Sequence, residues 1–212
     1  MNDLSGKKLV ALGDSLIYGG RLGNDATWVS KLAAKRGMTV FNYGINGNTV
    51  AAQDTETKHR PMCERYEEME DGADFVVVLG GANDKRLSVP LGENGSTDKY
   101  TFKGALNLLI AGLTAKYPQA RILFLTNYNR WPSKNKVGLS DIDYVEAMKE
   151  ICGIWAMPCF DNYHCCGISF QNPAQIAWAD AGVSLGLAPD HHFSEAGYDR
   201  LLTVYEALLE NL

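Results

Sequence analysis

Residues 9–20 read LVALGDSLIYGG, in which four apolar residues are followed at once by Gly13, Asp14 and Ser15. Glycine, aspartate and serine are common in turns and helix caps, so an apolar strand that stops there has an ordinary explanation. A serine held at the end of a strand can also act as a nucleophile. These residues alone leave both interpretations open, and the rest of the chain has to decide between them.

Apolar runs alternate with helix-like segments along the whole chain. Short runs rich in β-branched or aromatic residues predict five strands, at 9–12, 39–42, 75–79, 121–125 and 156–160. Helices are predicted at 25–37, 101–118 and 140–153, which open with capping residues and close on glycine or proline, and at 194–212. This alternation predicts an α/β protein with a parallel sheet between helices, in one domain spanning residues 1–212.

The composition argues against several classes of function. The 212 residues carry a net charge of -5, and the most charged segment, 56–72, mixes both signs as a solvated helix face does. No nucleic-acid partner is therefore expected. The apolar runs at 75–82 and 105–115 fall short of the ~20 residues that a membrane span needs. The polar first residues contain no signal-peptide core, so a cytoplasmic location is expected.

The chain has five cysteines, an odd number that fits reduced thiols better than a set of disulfides. A zinc site around His164, Cys165 and Cys166 is the alternative. That segment has no Cys-x-x-Cys pair, however, and adjacent cysteines chelate one ion poorly. Buried thiols are therefore the preferred interpretation, and neither a metal nor another cofactor is expected.

Polar residues gather where the predicted strands end, which is where open parallel sheets bind their ligands. Ser15 follows the first strand, the segment 42–47 ends the second, and Asn83 follows the third. Long loops follow the fourth and fifth strands, and the last of them leads to His191 and His192. This convergence favours a functional site over turn chemistry repeated by chance.

Together these segments resemble the GDSL or SGNH hydrolases, serine esterases and lipases with a flavodoxin-like α/β/α fold. The resemblance rests on four blocks in the family's order: GDSL at 13–16, NYGING at 42–47, GAND at 81–84 and His-x-x-x-x-Gly-Tyr at 192–198. It implies a three-layer fold with a five-stranded parallel sheet. It also implies Ser15 as nucleophile, His192 as base, and an oxyanion hole formed by the Ser15 and Gly47 N–H groups and the Asn83 side chain.

One position departs from the family's pattern. The family's Asp-x-x-His motif would place an acid at position 189, which is Pro189 here, and the nearest acid is Asp190. In extended backbone, side chains two residues apart point to the same face about 6.6 Å apart, so Asp190 could still orient His192. The alternative is a backbone carbonyl that orients the ring and leaves a Ser15–His192 dyad. The spacing to Gly197 favours His192 over His191 as the base.

These residue types suit hydrolysis of an ester. A serine hydroxyl needs a positioned base, and histidine titrates close to neutral pH. The negative oxygen of the tetrahedral intermediate needs preorganised donors. The expected function is cleavage of a small acyl or acetyl ester, carried by a carbohydrate as one option, through an acyl-enzyme on Ser15. The alternative is a non-catalytic module of the same fold that binds a sugar or acyl ligand.

The walls of the cleft are expected from two loops, 127–140 and 163–189. Four aromatic residues are candidates to line it, although most of them are as readily core residues: Tyr128, Trp131, Trp155 and Trp178. The mixture of polar side chains in these loops does not identify the acyl chain or the alcohol of the substrate.

Overall fold

The computed structural model describes residues 1–54, 59–130 and 133–212. Five parallel strands form its central sheet, in the order β2-β1-β3-β4-β5. The strands are β1 (Lys8–Gly13), β2 (Thr39–Gly44), β3 (Phe75–Leu79), β4 (Arg121–Leu125) and β5 (Cys159–Phe160). Their order places β1 and β3, the two strands followed by Ser15 and Asn83, side by side in the sheet.

Helices connect the strands and cover both faces of the sheet. In chain order they are α1 (Ser15–Tyr18), α2 (Trp28–Arg36), α3 (Met62–Arg65), α4 (Ala82–Leu87), α5 (Phe102–Lys116), α6 (Asp141–Ile154), α7 (Asn162–Cys165), α8 (Pro173–Ala179), α9 (Ala181–Ser184) and α10 (Glu195–Asn211). Two 3₁₀ turns, Asn24–Ala26 and Tyr66–Glu68, complete the described elements.

Side chains of β1 alternate between two hydrophobic cores. Leu9 and Ala11 belong to the core that contains Trp28 of α2 and Tyr205 of α10. The neighbouring residues of β1 belong to the second core, which is built with α5 and α6. Because both faces of a parallel sheet are covered in this way, its strands read as continuous apolar runs. The predicted three-layer α/β/α fold is confirmed.

The fifth strand is shorter than the sequence predicted. The apolar run at 156–160 forms a strand only at Cys159–Phe160. Ala156 has a positive φ of 50°, and Met157 donates its N–H to the Cys152 carbonyl at 2.8 Å. These residues therefore end α6 before the chain becomes extended.

The charged segment also differs from the expected solvated helix. Its residues 56–58 lie outside the described residues. From Met62 onward the chain forms the short helix α3, which buries Met62, Cys63 and Arg65, and then a 3₁₀ turn. One of the charges in the segment, that of Arg65, is therefore an internal one.

No helix within the described part of the chain is long and apolar enough to cross a membrane. All five cysteines are free thiols, three of them buried. His164 pairs with Asp161 instead of with a cysteine, at 2.9 Å from Nδ1 to Oδ2. Together with Glu146 these two residues form a cluster of metal-ligating side chains. The Lys149 ammonium, however, lies 2.9 Å from a carboxylate oxygen of both Glu146 and Asp161.

Candidate active site

Ser15 lies at the junction of β1 and α1, where the chain turns sharply. A Cβ on Gly13 would lie 2.4 Å from Cγ1 of Ile17, so glycine is needed for α1 to close over the end of the strand. Asp14 is fully buried, and its carboxylate caps α1 by accepting the Leu16 N–H at 2.9 Å. Ser15 is the first residue of α1 and lines a cavity.

His192 reaches Ser15 from the other end of the chain. It precedes α10, whose N-cap is Ser194, and the Ser194 hydroxyl accepts the Gly197 N–H at 3.1 Å. Tyr198 of α10 donates its hydroxyl to the Leu16 carbonyl at 3.0 Å and so ties α10 to α1. His192 Nε2 lies 3.0 Å from Ser15 Oγ, a hydrogen-bond distance. The predicted nucleophile and base are thus brought together.

A glycine packs closely against the His192 imidazole ring. Gly20 has a φ of 54°, and a Cβ built on it would lie 2.8 Å from Cγ and Cδ2 of His192. The chain after α1 can therefore pass directly beneath the ring only because this residue has no side chain. Gly20 belongs to the quoted segment 9–20, but no local pattern reveals its role, since the contact with His192 spans nearly the whole chain.

The backbone around Asp190 is not extended, contrary to expectation. His191 has a left-handed φ of 58°. Asp180, which is fully buried, accepts the His191 N–H at 2.7 Å and the Asp190 N–H at 3.3 Å, and this pairing imposes the turn. The Asp190 carboxylate folds back and accepts the N–H of His192 at 3.1 Å.

Asp190 nevertheless remains the nearest carboxylate to the His192 ring. Its Oδ1 lies 3.8 Å from His192 Nδ1, and its other oxygen is ion-paired with Arg21. Nδ1 has no hydrogen-bond partner among residues 1–54, 59–130 and 133–212, and a carbonyl near Pro189 does not supply one. At this distance Asp190 acts on the ring through its charge.

The environment keeps His192 uncharged at neutral pH. Burial lowers the pKa of His192 below its usual 6.5, while the negative charge of Asp190 opposes that change. A neutral imidazole can accept a proton from a serine hydroxyl. Its neighbour His191 packs edge-on against Phe170, with ring centroids 5.7 Å apart, and the hydrogen bond to Ser15 comes from His192.

Gly47 and Asn83 meet at the same rim. Gly47 sits in an exposed turn with a φ of 79°, and its N–H donates to no group among the described residues. Asn83 Nδ2 donates to the Asn48 carbonyl at 3.1 Å and, over a longer 3.4 Å, to Asp14 Oδ2. The N–H in that longer contact is the one that can donate a hydrogen bond to a substrate oxygen instead. Arg86 fixes the amide by donating Nε to Asn83 Oδ1 at 3.1 Å.

Two buried ionisable side chains, Asp84 and Arg65, hold the loop that carries Gly47. The Asp84 carboxylate accepts the N–H groups of Val50 and Ala51 at 3.0 and 2.9 Å, and burial raises its pKa to about 7. Arg65 donates to Asn48 Oδ1 at 3.0 and 3.1 Å. The roles of Asp84 and Arg65 could not be predicted from the sequence, because neither pattern nor spacing reveals a buried contact partner.

A cavity of about 800 Å³ opens in front of these residues. Its lining includes Ser15, Gly47, Asn83, Asp190 and His192, and residues 130, 134 and 135 from the predicted wall loop 127–140. A second cleft of about 540 Å³ shares Gly47 and Arg86 with it.

The other predicted wall is wrong. No described residue of 163–189 lines the cavity, because this segment folds into α7, α8 and α9 and buries Ile168 and Phe170 in the core. Of the four candidate aromatics, Trp131 lies outside the described residues and the other three do not line the cavity. Tyr128 is a core residue.

Comparison with known proteins shows which family the fold belongs to. Residues 11–200 match the model of the GDSL-like lipase/acylhydrolase family. One solved structure is 36% identical and covers 100% of this chain and 99% of its own, with a TM-score of 0.88. A Lactobacillus plantarum protein is 27% identical over 98% of each chain, with a TM-score of 0.85.

A more distant structure shares the fold. An acetyl-xylooligosaccharide esterase from Geobacillus stearmophilus is 22% identical, with 98% of this chain and 95% of that chain covered and a TM-score of 0.65. No match was found among curated proteins.

Proposed function

The chain belongs to the GDSL-like lipase/acylhydrolase family and is a hydrolase of ester bonds, and on that premise we propose that it cleaves a small carboxylic ester through an acyl-enzyme on Ser15. The observation that carries the proposal is the 3.0 Å contact between Ser15 Oγ and His192 Nε2 on a cavity rimmed by Gly47 and Asn83. A base at this distance is what a serine nucleophile requires.

In the first half of the proposed reaction, Ser15 Oγ attacks the ester carbonyl carbon while His192 Nε2 takes the hydroxyl proton. The carbonyl oxygen becomes negative and accepts hydrogen bonds from the N–H groups of Ser15 and Gly47 and from the Asn83 amide. When the tetrahedral intermediate collapses, the bond to the alcohol oxygen breaks. His192 then gives its proton to that oxygen and the alcohol leaves.

In the second half of the reaction water takes the place of the serine hydroxyl as the nucleophile, and Ser15 Oγ becomes the leaving group. His192 takes a proton from the water, the hydroxide oxygen bonds to the acyl carbon, and the bond to Ser15 Oγ breaks as the serine regains a proton. Asp190 stabilises the imidazolium that forms twice per turnover by its negative charge 3.8 Å from Nδ1. The carboxylic acid is released.

The test combines turnover with covalent labelling. Wild-type protein should hydrolyse p-nitrophenyl acetate and react with a fluorophosphonate probe, and Ser15→Ala should lose both while its circular dichroism is unchanged. Ser5→Ala is the matched control, because Ser5 is an exposed serine outside the cavity. A wild-type protein that the probe does not label would instead favour a non-catalytic binding module.

A further inference from the structure

The cavity in front of Ser15 carries a positive charge that the chain as a whole does not. The protein has a net charge of -5. The cavity lining nevertheless contains more cationic than acidic side chains, and these cations are Arg21, Lys85, Arg86, Arg130 and Lys134, against Asp141 and Asp190. An acidic protein that concentrates cations in one cleft creates a local positive potential there.

The two acids of the lining already have cationic partners. Arg21 forms an ion pair with Asp190, and Lys85 Nζ lies 4.0 Å from Asp141 Oδ2. Arg86, Arg130 and Lys134 have no acidic partner within 4 Å among residues 1–54, 59–130 and 133–212. These three cations therefore line the cavity without a described carboxylate in contact, while at longer range the charge of Lys134 acts on Asp143 and that of Arg130 on Asp14.

Two of the three are held in place by neutral groups. Arg86 donates Nε to Asn83 Oδ1 at 3.1 Å, and Arg130 donates Nε to Asn127 Oδ1 at 3.4 Å. Each guanidinium keeps further N–H groups for a ligand, and a guanidinium matches the paired oxygens of a carboxylate or phosphate. Arg130 is only partly exposed, so the bonds it forms are less screened than those of a surface arginine.

Arg130 lies on the side of the cavity that receives the alcohol. His192 must deliver its proton to the leaving alcohol oxygen, so the alcohol part of the ester occupies the His192 side of Ser15. Arg130 follows Asn129, whose carbonyl accepts the Phe170 N–H at 3.0 Å, and Phe170 packs against His191, so Arg130 lies on this side of the cavity. Its positive charge also lowers the pKa of both His191 and His192. Arg86, in contrast, contacts the proposed oxyanion donor Asn83.

We propose that the substrate is an ester whose alcohol part carries a carboxylate or phosphate, recognised by Arg130 together with Lys134. This inference rests on the proposed function of Ser15 and His192 and adds the charge class of the substrate. It predicts selectivity for anionic over neutral esters of the same shape.

Matched substrates test the proposal. The kcat/KM of each ester is first divided by the rate constant of its hydroxide-catalysed hydrolysis. This normalised value should be at least tenfold higher for 4-acetoxybenzoate than for its neutral analogue 4-acetoxybenzamide. Raising the salt concentration should weaken this preference. The substrate 4-acetoxyphenyl phosphate, run in parallel, separates a carboxylate site from a phosphate site.

Variants locate the selectivity. Arg130→Gln should reduce the anionic-to-neutral ratio about tenfold, and Lys134→Gln should reduce it by a smaller factor. Lys136→Gln, an exposed change in the same loop but outside the cavity lining, should leave the ratio unaltered. Hydrolysis of the neutral ester without any preference for the anion would overturn this inference alone. Failure to hydrolyse any of the esters would count against the proposed esterase.

Binding provides a readout that needs no turnover. Calorimetry on Ser15→Ala should detect 4-acetoxybenzoate binding that weakens at least fivefold in the Ser15→Ala, Arg130→Gln double variant. Equal affinity of both proteins for the anion would contradict the assignment of Arg130.

Discussion

Gly20 shows how a single missing side chain can position the His192 ring beside Ser15. We expect Gly20→Ala to push the His192 imidazole away from Ser15, because the new methyl would lie 2.8 Å from ring atoms. Displacement of a reacting group by about 1 Å can lower the rate about 10²-fold, so kcat should fall by roughly that factor.

The control for Gly20→Ala is Gly6→Ala. Gly6 also has a positive φ, 69°, but a Cβ there meets nothing within 4 Å. Both variants therefore introduce backbone strain, while only Gly20→Ala introduces a clash with the ring. Equal kcat values on p-nitrophenyl acetate for the two variants would show that the contact with His192 is unimportant.

Asp190 is a second residue whose role lies in its charge. Because Asp190 raises the pKa of His192 against the effect of burial, Asp190→Asn should lower that pKa and move the acid limb of the kcat/KM profile to lower pH. It should also reduce kcat about 10²-fold, because the imidazolium loses its counter-charge. A pH titration of both proteins on one ester measures the two effects.

Asp3→Asn changes an exposed acid outside the cavity lining and should leave the profile unchanged. A loss in Asp190→Asn of less than tenfold with an unmoved acid limb would favour a Ser15–His192 dyad.

At the level of elements, the loop that carries Gly47 depends on Asp84 at the start of α4. Asp84→Asn keeps one oxygen acceptor but removes the charge, so the Val50 or Ala51 N–H loses a strong partner. We expect kcat to fall about tenfold with KM little changed, since an oxyanion donor acts mainly in the transition state.

Hydrogen exchange at Val50 and Ala51 should accelerate in the same Asp84→Asn variant. Asp74→Asn serves as its control, because Asp74 also accepts a backbone N–H, that of Lys8 at 2.8 Å, but lies outside the cavity lining. A fall in kcat without faster exchange would mean that Asp84 does not act through this loop.

These elements also show which parts of the molecule a sequence can reveal. Strands β3 and β4 have the predicted bounds, because an uninterrupted apolar run in an α/β pattern has few other outcomes. The Asp190 backbone was predicted wrongly because its conformation is set by Asp180, ten residues away, through hydrogen bonds that no local pattern encodes.

The site residues divide in a similar way. Ser15, Asn83 and His192 could be found because each stands in a motif at a strand end or helix start. Gly20 and Arg86 could not, since their roles come from contacts formed only after the sheet has brought distant segments together. Residues that stand in local motifs could therefore be predicted as candidate site residues. The residues that position them through long-range contacts could not.

At the scale of the whole molecule, the buried Asp14 makes stability depend on pH. Burial raises its pKa from 3.8 to about 6. Its contribution to stability is therefore fully present below about pH 4 and is lost as the pH rises through 6. In Asp14→Asn the helix cap is kept and this loss disappears.

The free energy of unfolding of Asp14→Asn relative to wild type should increase by about 2–3 kcal/mol between pH 4 and pH 7.5. Urea denaturation at several pH values measures it. Asp74→Asn is the control of opposite sign, because the Lys8 N–H lowers the pKa of Asp74 in the folded state. A pH-independent difference for Asp14→Asn would show that the Asp14 carboxyl titrates normally when folded.

The hydrogen bond between Ser15 and His192 joins residues 177 positions apart. It is therefore a contact of very long sequence separation. Closing so long a loop lowers the entropy of the chain before the contacts that stabilise the closed loop can form. Secondary structure can form early from local contacts, whereas the Ser15–His192 pair exists only after α10 has docked against α1 and α2. The recovery of esterase activity during refolding therefore reports the rate of the final, long-range stage of folding. A chain with native-like helices is still inactive until that stage is complete.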